Sequence, residues 1–135
     1  MSFACAEFID VAKQLLADHG ENQPALRTAA GRAYYALYGT IRARVIERHG
    51  DCFGDRGMHK RAFRACQDSS DARLKELGKL LESLEKLRVQ SDYTYNCAVS
   101  RREVLAAIPK AEYGLKLVEN LQLTATQLLF DHISG

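Results

Sequence analysis

At 135 residues, 47% of them hydrophobic and 27% charged, the chain has the length and composition of a single globular domain spanning residues 1–135, without need of disulfide or metal staples. No apolar run reaches the roughly 18 residues of a membrane span, and Met1 to Ile9 lacks the basic start and apolar core of a signal peptide, so a soluble cytoplasmic protein is expected. Cys5, Cys52, Cys66 and Cys97 form no C-x-x-C pair, which predicts reduced thiols, no metal site and no cofactor.

Helical periodicity runs through nearly the whole sequence. Phe3 to Asp18 places Phe8, Val11, Ala12 and Leu15 on one stripe and stops at Gly20, a residue suited to the left-handed position after a helix. Asn22 is positioned to cap a second helix, with Pro24 in its first turn, running to His49 and ending at Gly50. Asp51 to Gly57 reads as a loop and Met58 to Cys66 as a short third helix, after which Ser70 and Asp71 offer N-caps.

The fourth helix is marked by Leu74, Leu77, Leu80, Leu81, Leu84 and Leu87, at spacings of three and four that demand burial of one face. The pattern breaks over Ser91 to Val99. Ser100 and Glu103 then form an S-x-x-E capping box that starts a fifth helix near Arg101, continuing through Leu121 to about Phe130. Pro109 is the objection to that helix, since it predicts a kink or a later start. With no alternating strand pattern, the fold class is all-α, an up-down bundle of four to five helices.

Charge is unevenly distributed. From Arg27 to Arg64 nine basic residues stand against three acidic ones, a net of +6 that leaves −4 elsewhere, and such a basic segment attracts a phosphate backbone or an acidic protein. Within the second helix, Ala29, Ala30, Ala33, Ala36 and Gly39 permit close helix approach, and Tyr34, Leu37, Ile41 and Val45 give the core stripe. Arg32, Tyr35 and Arg42 fall on another face, where they line either a phosphate-accepting groove or a helix–helix interface.

Residues 87 to 95, L-R-V-Q-S-D-Y-T-Y, carry more functional groups than a helix end requires. Together with R-A-Y-Y-A-L-Y in the second helix and G-M-H-K-R-A-F after the loop, this stretch resembles the HEPN family, the small helical domains named for nucleotide binding in higher eukaryotes and prokaryotes. The resemblance runs in order from about Ala29 to Leu121 and is nearest the prokaryotic branch with an R-x-x-A-D-Y signature, Ser91 standing where alanine is usual.

The resemblance implies a dimerising helical bundle with two sites facing across a cleft. Many members are metal-independent ribonucleases with an R-x(4–6)-H motif, found as toxins beside a nucleotidyltransferase-type antitoxin or in other defence systems. In that chemistry arginine stabilises charge on phosphorus and histidine moves protons between the 2′-hydroxyl and the leaving oxygen. Arg88 takes the place of the motif arginine, and Tyr93 stands where the histidine belongs, a poor base at neutral pH because phenols ionise near 10.

Tyr95 matches the tyrosine that the antitoxin modifies with nucleotide in one toxin branch. His59, in G-M-H-K-R-A-F, is positioned either to bring an imidazole to Arg88 and Asp92 or to cap a helix. Asp92 either orients the arginine or holds the following backbone. Arg44 and Arg42 also satisfy R-x(4–6)-H with His49, but early in the chain, where a histidine at a helix C-terminus needs no catalytic explanation. Two functions remain: an RNA-cleaving toxin with Arg88, Tyr93, Asp92 and His59 as its site, or a non-catalytic dimerising module that binds RNA, nucleotide or a partner protein.

Overall fold

The computed structural model describes residues 4–49, 67, 71–94 and 96–134, with side chains in 4–43, 67, 71–94 and 96–120, and among these described residues the leucine spacings and caps of the sequence become four long α-helices. They are α1 (Phe8–His19), α2 (Gln23–His49), α3 (Ala72–Tyr93) and α4 (Arg101–Ser134), with a 3-10 turn over Cys5–Glu7 ahead of α1. No strand occurs among the described residues, and the fold is an all-α bundle. The short helix expected over Met58 to Cys66 lies outside the described residues.

Neighbouring helices alternate in direction. Arg27 near the start of α2 reaches Ser91 near the end of α3, while Arg88 meets Tyr34 further along α2, so the two helices are antiparallel. Between α3 and α4, Lys110 bonds Ser83 and Arg73 bonds the Asn120 carbonyl, again antiparallel. Between α1 and α4, Lys13 pairs with Glu112 while Gly20 lies against Arg101.

Helix α2 is central and packs against all three others. Its alanines explain this: Ala29, Ala33 and Ala36 are fully buried, and their small side chains leave room for neighbouring helices. Leu37, also fully buried, fills the notch left by Gly114 of α4, where a Cβ would stand 2.6 Å from a Leu37 methyl. Leu74, Leu77, Leu81 and Leu84 bury the α3 stripe, each contributing about 1.5–3 kcal/mol.

The termini depart from expectation in three places. The first helix begins at Phe8 after the 3-10 turn, and its buried stripe is Ile9, Ala12 and Leu16, whereas Val11 is exposed. Gly20 is right-handed at φ −61°, so what it supplies is space: a Cβ would stand 2.6 Å from both the Leu16 carbonyl oxygen and Arg101 Nε. Helix α3 runs past the expected break to Tyr93, and Ser91 turns inward with Oγ donating to the Leu87 carbonyl at 2.7 Å. Helix α4 starts at Arg101 as expected, passes through Pro109, whose ring lies on the solvent side, and continues to Ser134.

The caps are formed as the sequence indicates. Asn22 Oδ1 accepts from Ala25 N at 3.2 Å and Asp71 Oδ1 from Arg73 N at 2.9 Å. Ser100 Oγ accepts from Glu103 N at 3.1 Å while Glu103 Oε1 accepts from Ser100 N at 3.2 Å, completing the box that starts α4.

Candidate functional site

The last two turns of α3 gather Arg88 with two carboxylates. Glu85 and Asp92 lie three residues before and four after it, spacings that put all three on one helix face. Arg88 Nη1 donates to Asp92 Oδ2 at 3.3 Å and Nη2 stands 3.6 Å from Glu85 Oε1. The guanidinium also covers two aromatic rings of α2, 5.4 Å from the Tyr34 centroid and 5.7 Å from that of Tyr35, within cation–π range. Its side chain is 12% exposed, and Nε is buried with no hydrogen-bond partner among the described residues.

Burial pulls the Arg88 pKa down, but Tyr35, the Asp92 hydrogen bond and Tyr34 outweigh it and hold the group above its ordinary value. Arg88 is therefore a permanent cation. Burial, with Glu85 nearby, pushes the Tyr34 phenol well above the usual range, so Tyr34 is neutral and serves as a packing surface. One guanidinium faces two carboxylates, which compete with an incoming phosphate for it.

Tyr93 stands apart from this cluster. Five residues after Arg88, it points about 140° away around the helix and is 68% exposed. Arg32 is separated too: its guanidinium lies 4.9 Å from the Phe8 ring on α1, with a buried Nε lacking a partner among the described residues, whereas Tyr35 turns to α3. Arg42 lies two turns beyond Tyr35 and is half-buried. The structure thus joins Tyr35, Arg88 and Asp92 and leaves Arg32 and Tyr93 elsewhere. His59, Tyr95 and the side chains of Arg44 and His49 lie outside the described residues.

Two residues of α2 hold the end of α3 and the connection that follows it without having stood out in the sequence. Arg27 Nη1 donates to the carbonyls of Ser91 at 2.9 Å, Thr94 at 3.1 Å and Gln90 at 3.3 Å, and Nη2 donates to that of Cys97. Gln23 Nε2 donates to the Val99 carbonyl at 2.7 Å while its Oε1 accepts from Val99 N at 3.0 Å. A cation on the last carbonyls of a helix satisfies groups with no intrahelical partner and meets the negative end of the dipole. The sequence signal was an omission: α3 has no basic residue in its last turn and no terminal glycine.

No group of three or more His, Cys, Asp or Glu suited to a metal occurs among the described residues. Cys5 and Cys97 are free thiols. Comparisons with family models, curated proteins and solved structures give no match to this chain.

Proposed function

We propose that the chain is a HEPN-like, non-catalytic module that binds RNA as a homodimer in the cytoplasm, within a bacterial toxin–antitoxin or defence-type system. The observation that carries the non-catalytic reading is the state of Arg88. Its fork is occupied by Glu85 and Asp92 at 3.6 and 3.3 Å, and the tyrosine in the histidine position points elsewhere. A nuclease needs a cation free to meet phosphate and a proton-transfer group beside it. The segment from Arg27 to Arg64 has an excess of six positive charges; Arg27 is taken up by backbone carbonyls and Arg32 packs on Phe8, and the remaining basic residues support an anionic polymer as the bound species.

The test is fluorescence anisotropy with a labelled single-stranded RNA across salt concentrations. Binding through this segment gives a log–log salt slope of about −2 to −3.5, as expected for three to five phosphates. No binding at low salt removes RNA and leaves a protein or nucleotide partner.

The competing reading, a metal-independent endoribonuclease using Arg88, Asp92, Tyr93 and His59 with Tyr95 modified by a nucleotidyltransferase-type antitoxin, rests on the motif resemblance. The carboxylates around Arg88 weigh against it.

A further inference from the structure

Between α3 and α4 lies a cleft of about 410 Å³, lined by none of the residues of the Arg88 cluster. Its floor is apolar, formed by Leu84 and Leu87 of α3 and Ala106 and Ala107 of α4. Ala106, exposed on α4, leaves the hollow open, since a longer side chain there would fill it, while Ala107 and Leu84 are buried at its base. Clefts of this size between bundle helices are ordinary small-molecule sites when an apolar surface is joined by a few placed polar groups.

Two cations, Arg102 and Lys110, line the cleft eight residues apart, about 12 Å along α4. They differ in engagement. Lys110 Nζ donates to Ser83 Oγ at 3.0 Å across the cleft. Arg102 is exposed and makes no hydrogen bond or ion pair with a described residue. It also sits in the first turn of α4, where the helix dipole adds positive potential. The nearby Glu103 carboxylate is held by Ser100 through the capping box.

We infer that this cleft binds a small amphipathic carboxylate, its apolar body on Leu84, Leu87, Ala106 and Ala107 and its anionic end on Arg102. The apolar floor disfavours a bare inorganic ion. The Arg102 guanidinium, unpaired among the described residues, matches the two-oxygen geometry of a carboxylate, whereas the second charge of a compact dianion would fall nearer Glu103 than Lys110, which stands about 12 Å along the helix and is engaged by Ser83. This site is independent of the RNA-binding reading.

Octanoate titration followed by amide NMR tests it, with 1-octanol supplying the body without the charge and acetate the charge without the body. The expected result is saturable octanoate binding, with shifts confined to the amides of Leu84, Leu87, Ala106 and Ala107 and their neighbours, and weaker binding of both controls. Arg102→Ala weakens octanoate about five- to tenfold, and Ala106→Leu, which fills the hollow, removes binding. Both positions are exposed on α4, and unchanged amide dispersion elsewhere verifies the fold. The inference is overturned by no saturable binding at millimolar octanoate, by octanol binding as tightly, by shifts elsewhere, or by undiminished affinity in Arg102→Ala.

Discussion

The guanidinium of Arg88 packs over the ring of Tyr34 at 5.4 Å, tying the end of α3 to the middle of α2 by a charged group laid on an aromatic face. Replacing Arg88 by alanine removes this contact and leaves Glu85 and Asp92 without their shared counter-charge. A loss of about 2–4 kcal/mol in urea unfolding is expected. Arg88→Lys retains the charge but not the planar fork, and recovers less than half of the loss.

Arg27→Ala strips Gln90, Ser91, Thr94 and Cys97 of their shared donor. The expected cost is about 2–3 kcal/mol, from lost charge-assisted hydrogen bonds to partly buried carbonyls. Hydrogen exchange gives the sharper readout: amides from Gln90 to Val99 lose protection first, while those in the middle of α2 keep theirs.

Gly114→Ala raises helix propensity by about 1 kcal/mol yet is expected to destabilise by a net 1–2 kcal/mol, because the new methyl meets Leu37 in a filled core. Chemical denaturation of Gly114→Ala, Leu37→Ala and the double variant separates the two terms. In the double variant the clash is gone, and the cost of Gly114→Ala shrinks or reverses.

Asp71 gives a pH test. The hydrogen bond from the Arg73 side chain, then that from the Arg73 backbone, holds the Asp71 carboxyl below its ordinary value of 3.8. Its folded pKa being depressed, the stabilisation is present above the unfolded value and is lost as pH falls below about 3.8 through the folded value. Asp71→Asn keeps a neutral cap, so its stability deficit relative to the parent is largest near pH 7 and narrows by pH 2.5, as read by thermal melts at both values.

Much of the fold was legible because it rests on local rules. The leucine spacing from Leu74 to Leu84, the Asn22 and Asp71 caps and the Ser100–Glu103 box are each satisfied within a few residues of chain. The end of α3 was not legible, because what extends it to Tyr93 is Arg27, more than sixty residues away. Arg88 and Asp92 could be paired from their i, i+4 spacing. That Tyr34 and Tyr35 face the same guanidinium depends on the antiparallel docking of α2 and α3, which periodicity does not specify. Arg32 was grouped with Tyr35 by spacing, and tertiary packing sends one to α1 and the other to α3.

The most direct measurement is incubation of end-labelled single-stranded RNA with the purified protein and its Arg88→Ala variant in EDTA, at concentrations that saturate binding. With Arg88 held by Glu85 and Asp92, the RNA stays full-length with both proteins. Fragments bearing 2′,3′-cyclic phosphate ends with the parent protein, and their loss in Arg88→Ala, would contradict a binding module and make Arg88 a catalytic residue.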